Sequence, residues 1–119
     1  MDLLLHIDVK KLPEPITYQD RILLMGSCFT EHIGDALDEL KFNVLQNPNG
    51  ILFWPESVCK SLLSYVENKH YSLEDLFCLH EVWHSWSHHS RYSNINLGEA
   101  IRLINEAQRY ANAFLKTAD

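Results

Sequence analysis

The residues of this chain whose types could do chemistry are Ser27 with its neighbour Cys28, and a group of histidines at 80, 84, 88 and 89. A serine hydroxyl becomes a nucleophile when a base takes its proton and donors already wait for the oxyanion that follows. Ser27 stands where such a residue is best displayed. Ile22-Leu23-Leu24-Met25 run without alternation, as in a short strand buried on both faces, and Gly26 breaks the run. Phe29, Ile33, Leu37 and Leu40 then repeat at helical spacing, which predicts a helix to about Lys41. A strand turning sharply into a helix brings the turn residue out at the carboxyl edge of a sheet, beside N–H groups that favour negative charge. Serine is also a preferred N-cap residue, so capping this helix is the plain structural alternative for Ser27.

The histidines suggest a different chemistry. His80-Glu81-Val82-Trp83-His84 matches the zinc-peptidase pattern, in which two imidazoles one helical turn apart hold a metal and the glutamate acts as base. Ser72 and Asp75 could cap a helix leading into it. The longer form of that motif needs glycine at 87 and histidine at 90, where this chain has Ser87 and Ser90. Glu99 and Glu106 are the nearby choices for a third ligand. His88 and His89 are adjacent, point apart in any regular structure and do not share one ion. The expectation is a histidine-rich surface or cleft wall without metal or other cofactor, His89 rather than His88 being the residue that lines the cleft.

Wider stretches carry a resemblance. Gly26-Ser27-Cys28-Phe29, preceded by Tyr18-Gln19-Asp20 and followed by Leu40-Lys41-Phe42-Asn43-Val44, resembles the signature of the GSCFA family, bacterial proteins similar to the SGNH/GDSL hydrolases. Asn47-Pro48-Asn49-Gly50, Trp83-His84-Ser85-Trp86 and His88-His89-Ser90 extend the match over most of residues 6–93. The resemblance implies that Ser27 is the hydrolase nucleophile and that the Gly50 N–H is an oxyanion donor. A glycine lets the backbone approach a substrate closely there. Asn47 would add a side-chain donor or hold the turn. The family pattern has asparagine before Pro55, whereas this chain has Trp54, which packs or closes one wall of the cleft. In that pattern Trp83-His84-Ser85 are the characteristic letters and His80-Glu81 are incidental.

Several elements must position these residues. Leu3, Leu5, Ile7 and Val9 alternate with Leu4, His6 and Asp8, predicting a short strand, and Pro13 and Pro15 enforce an extended connection. Residues 42–45 make a second strand, so that strand, helix and strand form a parallel β-α-β unit. Asn47-Pro48-Asn49-Gly50 is strong turn chemistry. Pro55 opens a second helix to about Asn68, with Val58, Leu62 and Val66 on its buried face. Asn96 and Glu99 resemble a capping box for a long helix through Leu97, Ile101, Ile104, Ala111 and Leu115, with Arg102, Glu106 and Arg109 on its wet side.

Composition bounds the class. A chain of 119 residues with 46% hydrophobic and 22% charged content is that of one soluble domain, residues 1–119. A net charge of −6 without a basic stripe excludes a general nucleic-acid binder. Leu3-Leu4-Leu5 is too short for a signal peptide, and no apolar run is long enough to span a bilayer. Three cysteines without metal-type spacing read as buried free thiols, and hence as a cytoplasmic protein.

The expected fold class is α/β, a partial SGNH-like three-layer α/β/α arrangement with a small parallel sheet flanked by helices. A hydrolase of this type needs a histidine base oriented by an aspartate, and in the family these lie C-terminal to the residues present here. The expectation is therefore the N-terminal part of a longer, C-terminally truncated hydrolase of small-molecule ester or acyl groups, inactive alone. A zinc hydrolase built on His80, Glu81 and His84, and a non-catalytic interaction domain, are the alternatives.

Overall fold

The computed structural model describes residues 3–118. Strand β1 (Arg21–Leu24) leads into helix α1 (Cys28–Glu39), which returns to strand β2 (Asn43–Gln46). Helix α2 (Pro55–Glu67) follows, then strands β3 (Leu76–Leu79) and β4 (Val82–Ser85), and the long helix α3 (Leu97–Leu115) closes the order. β1 and β2 are parallel, with Ile22 opposite Val44 and Leu24 opposite Gln46. The β-α-β unit is therefore present, in an α/β chain. β3 and β4 form a separate antiparallel hairpin, with Leu79 opposite Val82.

The hairpin corrects the reading of the histidine motif. His80 and Glu81 are not on a helix; they are the two residues of the hairpin turn, with φ of 49° and 64°. Two consecutive residues at positive φ supply the twist that joins strands through a two-residue loop. Val82, Trp83 and His84 then belong to β4. The helical register that would bring both imidazoles to one point does not exist. Ser72 and Asp75 do form a capping box, but around a single 3-10 turn, Leu73–Asp75, that enters β3.

Burial also departs from the apolar pattern. Residues 3–9 form no strand; Leu3, Leu5, Ile7 and Val9 are 69–86% exposed. On α1 the stripe is open as well: Phe29, Ile33 and Leu40 are exposed, and the buried residue of the helix is Gly34, lying against the Gln46 side chain. β1 is half-buried along its length rather than enclosed on both faces, because two paired strands alone cannot be covered as a wide parallel sheet is. The radius of gyration is 17.4 Å, against about 13 Å for a compact chain of this length. The buried face of α2 is Ser61, Ser64 and Tyr65, not Val66. Cys28, Cys59 and Cys78 are free but exposed, not buried.

The hydrophobic core lies elsewhere, between the hairpin and α3. Tyr71, Leu76, Ala100 and Ile104 form it, and Trp83, Tyr92, Leu97 and Ile101 pack around them. Asn96 caps α3 as its sequence predicts, its side chain accepting from the Glu99 N–H at 3.0 Å. Amide side chains on α3 tie it to the rest of the chain. Asn105 exchanges two 2.8 Å bonds with the Tyr71 backbone, Gln108 donates to the Ser64 carbonyl at 2.7 Å, and Asn112 donates to the Tyr65 carbonyl at 2.6 Å. Both carbonyls lie at the C-terminal end of α2, where they also accept from the Asn68 and Lys69 N–H groups, so each amide adds a second bond.

Candidate functional site

Because β1 and β2 are parallel, the turns that follow them emerge at the same carboxyl edge. Ser27 follows β1; Asn47, Pro48, Asn49 and Gly50 follow β2. The two turns are joined through the backbone. Asn47 N–H donates to the Leu24 carbonyl at 2.8 Å, the Gly26 N–H donates to Asn47 Oδ1 at 2.8 Å, and the Leu52 N–H donates to the Gly26 carbonyl at 3.0 Å. Gly26 stands at φ +148°, a backbone conformation that L side chains rarely adopt, and this sharp bend delivers Ser27 to the N-terminus of α1.

Ser27 occupies the N-cap position of α1, yet its side chain makes no capping hydrogen bond. The Thr30 N–H is met by the Ser27 carbonyl instead, at 3.0 Å. Its hydroxyl lies at the N-terminal end of the helix, where the dipole favours negative charge. Glu31, one turn along α1, takes a 3.3 Å bond from Asn47 Nδ2 and lies 3.7 Å from the Arg91 guanidinium.

The loop of residues 47–50 is buried throughout, and the other signature segments converge on it. Arg91 Nη2 donates to the Asn47 carbonyl at 2.8 Å, the Tyr92 hydroxyl donates to the Pro48 carbonyl, and the His89 N–H donates to the Asn49 carbonyl at 2.8 Å. Asn49, 1% exposed, donates to Ser61 Oγ and to the Ser87 carbonyl, each at 3.0 Å, and accepts from the Tyr65 hydroxyl at 2.7 Å. Burial raises the Tyr65 phenol well above its ordinary pKa, so it stays protonated and donates. The loop is the point where the Ser27 turn, α2 and the histidine segment are fastened together.

Gly50 lies between Asn47 and Leu52, the two residues that bond the Gly26 turn, and its own N–H donates to the Asn47 carbonyl at 2.8 Å. Its own need for glycine is packing. Gly50 has φ +85°, and a Cβ added there would lie 2.2 Å from the His89 Cβ. His89 therefore adjoins the loop, with its Nδ1 accepting from the Arg91 N–H at 3.2 Å.

None of His84, His88 and His89 bonds Ser27. His84 Nδ1 pairs with Ser93 Oγ at 2.7 Å and its ring stacks on Phe77. His88 is buried between the edges of Tyr71 and Tyr92, with Nδ1 2.8 Å from Ser85 Oγ. Burial lowers its pKa to about 4, with a smaller push from the Lys69 charge, so the ring is neutral near pH 7. Among the described residues no group of three or more His, Cys, Asp or Glu side chains is arranged to hold a metal ion.

Sequence reasoning picked out Asn47, Gly50 and His89 but missed Glu31, Asn49, Tyr65 and Arg91. The signal available for Asn49 was its place in an Asn-Gly pair between two elements; nothing in local spacing pointed to Tyr65 or Arg91.

An α/β chain that sets a free serine at a strand-to-helix bend, against a buried asparagine-rich loop, has the arrangement used for nucleophiles and ligands at sheet edges. The chain belongs to the GSCFA family, whose model matches residues 21–119. No curated protein and no solved structure matches it.

Proposed function

We propose that the chain is the N-terminal part of an SGNH-like serine hydrolase acting on small-molecule ester or acyl groups, with Ser27 as nucleophile. The observation that carries this reading is the Ser27 side chain, which makes no capping bond at the carboxyl end of β1 and follows a Gly26 whose N–H donates to Asn47 Oδ1. In the reaction Ser27 Oγ attacks the acyl carbonyl while a base accepts its proton, and the base passes that proton to the departing alcohol as the tetrahedral intermediate collapses. Water then attacks the acyl-serine to release the acid and restore Ser27. The first N–H groups of α1 meet the developing oxyanion. Gly50 joins them once its bond to the Asn47 carbonyl opens, and Asn47 Nδ2, which donates to Glu31, is the further side-chain donor.

The base comes from an Asp/His segment downstream of these residues, as the family resemblance implies. The neutral, enclosed His88 ring is unsuited to that role, since it already bonds Ser85. His89 lines the cleft beside Gly50 and binds substrate rather than accepting the proton. No helix among the described residues is long and apolar enough to cross a membrane. With three free thiols and a net charge of −6, the proposed setting is the cytoplasm, with neither nucleic acid nor membrane as partner.

The test is hydrolysis of a p-nitrophenyl ester. The 119-residue chain should show no Ser27-dependent turnover, whereas a longer protein carrying the downstream segment should. Ser27→Ala in that longer protein should abolish the activity. Full activity in the same variant would leave Ser27 as a helix-start residue and turn attention to Cys28.

A further inference from the structure

A cleft of about 470 Å³ lies beside the Asn49 anchor, between α2 and the loop after β4. Ser27 does not line it, and it plays no part in the hydrolase reading. Its volume falls within the range of small-ligand sites. One wall is Trp86, which is 85% exposed although one face of its indole is stacked on Phe77, with centroids 4.4 Å apart and planes 22° from parallel. A ring so backed keeps one orientation and leaves its opposite face to solvent. An exposed tryptophan costs free energy unless something covers it, and here the packing holds it ready to be covered.

The rest of the lining is polar and differently disposed. Ser57 and Ser61 project from successive turns of α2, with Ser87 across the cleft. Ser61 Oγ accepts from Asn49, which fixes the oxygen and leaves its hydrogen to donate. Glu67 supplies carboxylate acceptors at one end. The two lysines of the lining do not make it an anion site. Lys60 is 2.8 Å from Glu56, and Lys69 is 3.1 Å from Asp75 while lying 4.6 Å from the Tyr71 ring centroid. With Glu67 added, carboxylates outnumber ammonium groups around the cleft, so a phosphate or carboxylate ligand would meet no surplus of positive charge.

A flat apolar plate surrounded by hydroxyl, ammonium and carboxylate groups matches one ligand chemistry well. A pyranose ring has an apolar C–H face that covers an indole, and equatorial hydroxyls that both donate and accept at its rim. We propose that this cleft binds a neutral saccharide, with Trp86 as its platform and Ser57, Ser61, Ser87 and Glu67 as hydroxyl partners. A hydrophobic ligand would leave these polar groups uncompensated, and an anion would face Glu67.

The experiment titrates the 119-residue chain with cellotetraose, chitotetraose and mannotetraose, following tryptophan fluorescence and the Trp86 indole N–H resonance. At least one sugar should bind saturably, with Kd of order 1 mM. Trp86→Ala should weaken that binding about tenfold or more, and Glu67→Gln should weaken it by a smaller factor. Trp54→Phe, which alters an exposed ring outside the cleft lining, should leave it unchanged. Trp86→Ala gives up the Phe77 stack, so its urea midpoint should fall slightly, and titrating it well below that midpoint separates lost binding from lost folding. Absence of saturation by all three sugars at about 20 mM, unchanged binding in Trp86→Ala, or displacement by inorganic phosphate would each overturn the proposal.

Discussion

The Tyr65 hydroxyl donates to Asn49 Oδ1 at 2.7 Å, and both residues are essentially shut off from water, at 0% and 1% exposure. A buried pair of this kind is most costly when only one member is removed, because the survivor keeps its desolvation penalty without a partner. Asn49→Ala deletes three side-chain hydrogen bonds and should destabilise the chain by about 3 kcal/mol. Tyr65→Phe should cost about 1–2 kcal/mol. The double variant should lose less than the sum, and urea denaturation of the four proteins measures the difference as a coupling energy.

At Gly50 two separate strains meet any side chain. Gly50→Ala should lose about 2–4 kcal/mol, from the positive φ and from the clash with the His89 Cβ. His89→Gly removes the second cause but not the first. Placing Gly50→Ala in that background should therefore recover part of the loss, by about 1–2 kcal/mol. Thermal melts of the single and double variants check this; no recovery would mean that backbone strain alone sets the cost.

The His88 ring makes stability depend on pH. Its pKa falls from an ordinary 6.5 to about 4 on folding, so the unfolded chain binds the proton more readily. Stability contributed by the neutral ring is full above pH 6.5, declines as pH falls, and is gone by about pH 4. The decline amounts to about 3 kcal/mol. His88→Phe should flatten this part of the profile. The comparison of wild type and variant between pH 7.5 and 4.5 isolates it from carboxylates such as Asp75, whose lowered pKa acts below the usual carboxylate value.

Metal provides a fourth check. With His80 in a hairpin turn and His84 bonded to Ser93, the pair offers no chelate on this chain. One equivalent of zinc should leave the melting temperature unmoved, as should prior treatment with a chelator. A zinc-dependent rise that disappears in His84→Ala would revive the metal reading.

The parts of the fold legible in the sequence are those written in local pattern. The apolar run before Gly26, the helical stripe behind it, Pro55 at the start of α2 and Asn96 at the start of α3 all announce themselves over a few residues. The hairpin did not. Its turn is His80-Glu81, neither of which is the glycine or asparagine that such a turn normally selects, so the helical reading of the motif had no local rival. On α1 the periodicity tells which residues share a face, not whether anything packs against it. Phe29 and Ile33 share a face that is open. For the site, the turn that holds Ser27 and the residues of the Asn47-to-Gly50 loop could be named in advance. The bonds that fix them could not, because Tyr65 and Arg91 reach the loop across 16 and 44 positions of chain.

The burial of the Asn49-Gly50 step also bears on how this protein ages. An asparagine followed by glycine is the pair most prone to lose its side-chain amide, since the next backbone nitrogen can attack the side-chain carbonyl carbon to close a succinimide. Here that nitrogen's proton is held by the Asn47 carbonyl, while the Asn49 amide is engaged at both ends. Cyclisation must wait until the loop opens. The appearance of aspartate and isoaspartate at position 49 is thus a slow clock that runs only while the molecule is unfolded. Each tick replaces the amide nitrogen that Ser61 and Ser87 accept from with an acceptor, making refolding harder than before.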